Sequence, residues 1–552
     1  MANMININFR NLEVKKFQIN TSLEEISKKY QKHFNYPILI GQLDNDIVEL
    51  SELVSRSHNI DFFDRSSTLG NSVYGTTLQF LVILGAKRAF GDDAEVLIEH
   101  SMDKGFYCEI IKDDFSKENL KKLEKTMKEI VKENLEIDKL SVSRLDAIKY
   151  FETKKQYDKV KVLKYISNTY INLYKVDDTY DYFYGKLASS TGVIDDFKLT
   201  YIENNGFVVS YPSVYNPECT LDYIHHGMLF DKFLDYTRWG RKIKISNGAD
   251  LNEVVSKGKY NELIHIAETH YDSQLSKIAD KIEENKNIRL VLISGPSSSG
   301  KTTSSKKLSI QLKSRGINTY PISIDDYFLD RDKTPKDKNG KLDTESLKAV
   351  DVTLFNKHLT KLLSGDTVEL PEYNFVTGKR EYNGRRVKLE KGDIIVIEGL
   401  HGLNEELTMS IDRKQKYKIY ISPLTQLNID NHNRIHTSDT RKLRRIVRDN
   451  RSRGHNASQT LAKWKEIREG EENYIFPYQD EADVILNSAL VYEIGVLKTY
   501  VEPLLFNVDE KDPMYPEAIR LINLLRNFLP IPSEDVPKDS LLREFIGGSS
   551  FE

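Results

Sequence analysis

Cysteine is almost absent: Cys108 and Cys219 are the two in 552 residues. They are too few for a disulfide framework and lack the CxxC spacing of a zinc site, so both read as structural thiols. Neither charge is in surplus, with 80 Lys and Arg against 83 Asp and Glu, and the composition demands neither nucleic acid nor a membrane surface as partner. Long apolar runs are missing as well. LQFLVILGA, residues 78–86, falls well short of the roughly 20 residues of a membrane span. The N-terminus, MANMININFRNLEVKKF, lacks the apolar core and small-residue cleavage site of a signal peptide. No internal repeat or low-complexity tract is present. What remains is a chain expected to be cytoplasmic, 39% hydrophobic and 30% charged, and too long for a single core.

Local pattern divides it. In residues 4–62, INFRNLEVKKFQI alternates like a strand, LEEISKKYQKHF has helical spacing and PILIGQL returns to strand, a small α+β unit. An apolar helix near residues 75–90, strands around VLIEH and GFYCEI, and a charged helix from Lys117 to Asn134 follow. Asp250 to Asn287 is polar and helical in pattern, up to the apolar IRLVLIS. From there LVLIS, TYPISI, DIIVIEG, YKIYIS and ADVILN alternate with helical segments, which predicts a doubly wound α/β domain on a parallel sheet. VYEIGVLKTYVEPLL and EAIRLINLLRNFL read as two amphipathic helices before a Pro-punctuated tail. The expected units are 1–63, 64–240, a helical connector 241–287, the α/β domain 288–490 and a helical extension 491–552.

The strongest chemical signal is GPSSSGKT, residues 295–302, which fits G-x-x-x-x-G-K-[ST] with an apolar strand before it and a helical pattern after it. Gly295, Pro296, Ser297, Ser298, Ser299 and Gly300 form a loop whose backbone N–H groups can surround phosphate oxygens. Lys301 is expected to neutralise the terminal phosphates, Thr302 to offer its hydroxyl to magnesium and Thr303 to add a phosphate contact.

Two acidic strand ends follow. SIDDYF, residues 323–328, ends a β-type run in Asp325 and Asp326, where ligands collect in an open α/β sheet. Asp325 could orient and deprotonate an attacking hydroxyl. DIIVIEGLHGL, residues 393–403, ends in Glu398, a carboxylate beside the magnesium site. TRKLRRIVRDNRSRG, residues 440–454, sets Arg441, Arg444, Arg445 and Arg448 at helical spacing, a cationic face able to close over phosphates.

As a set, GPSSSGKTT, IDDYF, LPEYNFVTGKR, IEGLHGLN, RRIVRD and FPYQDEADVILNS resemble the uridine kinase and phosphoribulokinase branch of P-loop kinases over residues 288–490. The resemblance implies ATP as phosphate donor and magnesium as cofactor. Asp325 falls on the catalytic aspartate, Glu398 on the magnesium-linked glutamate, Tyr373 and Phe375 on pocket aromatics, and Arg380, Arg444, Arg445, Arg448 and Arg453 on basic positions. Asp343 and Asp351 are candidates for the carboxylate that holds sugar hydroxyls, with Asp351 favoured. Gly378 stands where a pocket histidine is common, and His455 replaces a lid arginine.

The N-terminal half is similar to something else. Residues 4–62 resemble a TGS domain, and AKRAFGDDAEVLIEH with DKGFYCEI resembles the editing-type domain of threonyl-tRNA synthetase. Thr76, Phe80, Phe183 and Leu187 occupy that family's two histidine and cysteine pairs, which implies that editing is lost. His225 and His226 are adjacent, point apart, and read as structural or surface residues. The whole set of readings implies phosphorylation of a nucleoside, uridine or cytidine favoured, to its 5′-monophosphate. The alternatives are another small alcohol, as in phosphoribulokinase or pantothenate kinase relatives, or an RNA-associated regulatory NTPase. A homo-oligomer is a further expectation.

Overall fold

The computed structural model describes residues 4–10, 13–111, 115–202, 206–336, 340, 342–374, 376–425 and 427–551. At the N-terminus, Met4–Phe9 alternates exposed and buried side chains, as a half-covered strand must. It lies between Glu13–Gln18 and His58–Phe63, with Ile40–Leu43 and Asp46–Val48 completing a five-stranded sheet. Helix Leu23–Tyr30 is capped by Ser22, with Glu24 and Glu25 in its first turn and Lys28 and Lys29 in its last, matching the helix dipole. It packs Leu23, Ile26 and Tyr30 onto the sheet through Ile7, Phe9 and Phe62.

The second unit is built around Thr68–Phe90, a helix apolar on nearly every side and buried along most of its length. A four-stranded antiparallel sheet and the amphipathic helix Lys117–Glu133 enclose it. A three-stranded sheet, Asp138–Ser143, Tyr170–Val176 and Thr179–Asp181, stands beside it. The segment from Asp250, helical in pattern, forms two helices, Gly248–Ser256 and Tyr260–Glu284. Gly258, at φ +67, makes the turn between them.

In the C-terminal half, five parallel strands stand in the order Thr319–Ser323, Ile394–Glu398, Leu290–Ser294, Lys416–Ser422, Val484–Asn487. Leu290–Ser294 and Lys416–Ser422 are buried at every position, because helices cover both faces and alternation is lost. The first strand of this half is the central one, so strand order reverses about it and the loops leaving the carboxyl ends frame a crevice. Glu493–Phe506, Tyr515–Leu525 and Arg543–Ile546 pack into the main core of the domain.

The two halves are joined by buried charge. Lys159, from the second unit, is fully buried and pairs with Asp181 at 2.6 Å and with Asp430 of the α/β domain at 3.4 Å, while His432 Nδ1 meets Asp181 at 2.6 Å. Asp181 is held well below the usual carboxylate range, His432 and Lys159 outweighing the cost of burial. Among the described residues no helix is long and apolar enough to cross a membrane.

Candidate active site

Strand Leu290–Ser294 delivers the glycine-rich loop to the start of helix Lys301–Lys313. Gly300 sits at φ +86, and a Cβ there would come within 2.5 Å of Leu541 Cδ1, so neither the backbone shape nor the space admits a side chain. The hydroxyls of Ser298 and Ser299 are buried without a partner. Buried donors in that state await an acceptor, and an anion held by the loop would supply one. Thr302 is exposed at the helix start, open to a cation.

Across the loop, strand pairing sets Ser323 opposite Glu398 and Ile293 opposite Glu398, which brings the ends of three neighbouring strands together. Asp325 follows in a short 3-10 turn, Ile324–Tyr327, its N–H donating to Ser323 Oγ at 3.3 Å. Burial raises the Asp325 carboxyl above its ordinary range, while Lys301 and Arg453 pull it down. Burial likewise lifts Glu398 to about 7, against Lys301 and with Asp325. Lys301 is held low by burial although Glu398, Asp325 and Glu544 favour its charge. Lys301 Nζ donates to the carbonyls of Gly295 and Pro296 at 2.9 and 3.3 Å. Arg445 and Arg448 are also lowered, first by burial and then with Arg453 repelling each of them. Three cations around one loop thus lack sufficient counter-charge, the condition of a polyanion site.

The arginine helix, Thr437–Arg453, differs from the expected open cationic face. Arg444 is fully buried: it pairs with Glu493 at 2.6 Å and donates to the carbonyls of Ser298 and Ser488. Arg441 is buried against Glu471 and donates to Ser297 O at 2.9 Å. These two are struts beneath the loop, because helical spacing places them on the face that packs inward. Arg445 reaches Ser297 Oγ, and Arg445, Arg448 and Arg453 share Asp449. The cations left facing the cleft are Arg445, Arg448 and Arg453.

The substrate side is partly assembled. Tyr373 and Arg380 are cross-strand partners in the hairpin Glu372–Asn374 and Lys379–Glu381. Arg380 donates to Asp351 at 3.1 Å, and Tyr373 meets Phe328 edge-on at 5.6 Å. Asp351, the favoured sugar carboxylate, is committed to Arg380 and to capping helix Val352–Leu363. Asp343 is committed to Tyr474 and Ser346. Glu345, between them in sequence and exposed at the surface, is close enough to Asp325, Lys301 and Arg445 to interact with them electrostatically. It belongs to the stretch read as carrying this carboxylate, but residue counting alone did not choose it. Phe375 lies outside the described residues. Gly378 is at φ +68, and a Cβ there would meet Arg331 at 2.8 Å, so the turn itself excludes a histidine.

Sequence reading also missed Glu471, which accepts from Ser297 N at 3.0 Å, and Glu544, which accepts from Thr303 N and Oγ1 at 3.1 and 2.8 Å. Neither lies in a motif. In the second unit Phe80 meets Phe183 edge-on at 5.5 Å, Leu187 is buried, and Thr76 donates to Ser72 O. The four positions are packed or hydrogen-bonded and offer no metal-binding pair. His226 pairs with Asp480 and His225 with Tyr223. Cys108 is buried and Cys219 exposed, so only Cys108 has the environment of a structural thiol.

A glycine-rich loop at the central strand, with acidic groups at the ends of the two strands on one side of it, defines a P-loop kinase fold. Residues 290–494 match the sequence model of the Phosphoribulokinase / Uridine kinase family. The N-terminal half is similar to a threonine--tRNA ligase of Carboxydothermus hydrogenoformans, 30% identical over 201 residues that cover 36% of this chain and 32% of the ligase. The threonine--tRNA ligase of Syntrophotalea carbinolica is 29% identical over 201 residues, with 36% and 32% covered. The chain spans about a third of the length of these relatives. A solved structure described as a possible uridine kinase from Bacillus stearothermophilus is 22% identical, covers 36% of this chain and 89% of that one, and has a TM-score of 0.26.

Proposed function

We propose that the chain transfers the γ-phosphoryl group of ATP to a hydroxyl of a nucleoside, uridine or cytidine favoured, giving the 5′-monophosphate. The observation that carries this reading is the cluster of Lys301, Arg445 and Arg448, each short of counter-charge, around a loop whose Ser298 and Ser299 hydroxyls are buried without partners. Asp325 and Glu398 stand across from it.

In this reading Asp325 accepts the proton as the substrate oxygen forms its bond to the γ-phosphorus. The bond from that phosphorus to the bridging oxygen breaks, and ADP leaves with the electron pair. Arg445 and Arg448 stabilise charge on the transferred group, the contribution that phosphoryl transfer depends on most. Thr302, Asp325 and Glu398 are the groups that would hold magnesium, directly or through waters, and the ion would neutralise phosphate charge. Tyr373 and Phe328 offer an apolar wall, Glu345 a carboxylate for sugar hydroxyls. The match of the 290–494 segment to the Phosphoribulokinase / Uridine kinase family supports phosphoryl transfer to a small-molecule hydroxyl.

The test is magnesium- and ATP-dependent product formation, read by mass spectrometry, on a panel of nucleosides, pantothenate, glycerate and ribulose 5-phosphate. One phosphorylated nucleoside is expected, lost in Lys301→Ala and Asp325→Asn with a fall of at least about 10²-fold. Phosphorylation of another alcohol alone would refute the nucleoside assignment, and no product from any acceptor would refute the kinase.

A further inference from the structure

Thr303 carries two anion-binding donors of the loop, its backbone N–H in the first turn of helix Lys301–Lys313 and its hydroxyl. In this structure both are taken by one carboxylate from the far end of the chain. Thr303 N and Oγ1 donate to Glu544 Oε2 at 3.1 and 2.8 Å across 241 residues of sequence. The carboxylate is also close enough to act electrostatically on Lys301, Glu398 and Arg448. It therefore faces the phosphate cleft rather than solvent.

The segment bearing it is firmly held. Leu541, Leu542 and Phe545 are fully buried in the main core. Leu541 covers Gly300, and Ser540 donates to the buried Glu268 at 2.6 Å. The Arg444 guanidinium lies 5.1 Å from the centre of the Phe545 ring, and Arg451 donates to Glu544 O at 3.1 Å. Releasing the whole tail would expose three large apolar side chains, whereas freeing Thr303 needs only rotation of one side chain. A carboxylate here imitates a phosphate oxygen: it accepts the same two hydrogen bonds and balances the same lysine.

We propose that Glu544 is a built-in competitor for the nucleotide, its carboxylate occupying the Thr303 anion site until a phosphate of ATP displaces it. The proposal rests on the kinase reading and adds a determinant to it. Nucleotide affinity is held down by the C-terminal segment, and whatever draws Glu544 away raises it. Removing the charge while keeping the shape replaces a charged acceptor by the weaker neutral amide oxygen and abolishes its repulsion of the incoming phosphate, interactions made at contact distance in a partly buried cleft.

The experiment is calorimetric titration of the full chain with magnesium and the non-hydrolysable analogue AMP-PNP, in the natural sequence, Glu544→Gln and Glu544→Asp. Equal thermal midpoints would certify the fold, and Glu544→Asp keeps the charge on a shorter stem if the glutamine variant proves unstable. The expected result is at least about tenfold tighter binding by Glu544→Gln, with Glu544→Asp in between. Equal binding by all three would overturn the competitor while leaving the kinase standing. Weaker binding by Glu544→Gln would overturn it too, by showing that Glu544 helps to hold nucleotide. If none of the proteins binds AMP-PNP, the kinase reading fails and the competitor with it.

Discussion

Glu398→Gln is expected to stabilise the nucleotide-free protein, and to do so only when the pH is high. In the unfolded chain the carboxyl titrates near 4.5, and in the folded protein burial lifts it to about 7, Lys301 opposing the rise and Asp325, Glu544 and Asp326 adding to it. Below pH 4.5 both states are protonated and the group is neutral to folding. As the pH rises from 4.5 through 7 the unfolded state releases its proton first, so stability is lost across that window and the loss levels off above it. Glutamine has the same shape and never ionises. A tenfold difference in proton affinity between the two states is worth about 1.4 kcal/mol, and with allowance for the partly open cleft the variant should gain about 2 kcal/mol over the natural protein between pH 5 and pH 8. Thermal unfolding of both proteins in matched buffers measures the difference, and other titrating groups cancel in the comparison. A difference that stays flat with pH, or a variant less stable at pH 8, would refute the burial argument. In the proposed reading the same group links to function, since holding magnesium would require the ionised form.

Two further outcomes separate structure from chemistry. Arg444→Met should cost about 3–5 kcal/mol by leaving Glu493 buried without its partner, and Arg444→Met with Glu493→Leu should recover most of that in thermal unfolding. Lost activity at unchanged stability would instead return Arg444 to the phosphates. Gly300→Ala should abolish AMP-PNP binding in the same calorimetric assay, because a Cβ at φ +86 also strikes Leu541; binding within about threefold of the natural protein would show that the loop tolerates another shape.

Much of this protein was legible in its residues. The glycine-rich loop and the positions of Asp325 and Glu398 could be read because they depend on local backbone: glycines beside a strand end, and carboxylates at the ends of neighbouring strands. The apolar runs of a parallel sheet are equally plain, since strands covered on both faces need no alternation. The polar helical pattern from Asp250 did not reveal the break at Gly258, where a positive φ turns the chain between two helices. Spacing placed four arginines on one helix but could not say which side met the core, so Arg441 and Arg444 looked like the half-buried Arg445 and Arg448. Counting residues between motifs left the sugar carboxylate open between Asp343 and Asp351, while the fold brought Glu345 to Asp325 and Lys301. The contact of Glu544 with Thr303 lay beyond sequence altogether, because no motif marks two residues that meet only when the tail packs against the loop. Sequence alone determined which groups can bind phosphate, because that ability lies in short-range backbone and side-chain chemistry. Tertiary structure alone decided which charges face the cleft and which are spent on one another, because burial and long-range pairing exist only once the chain has folded.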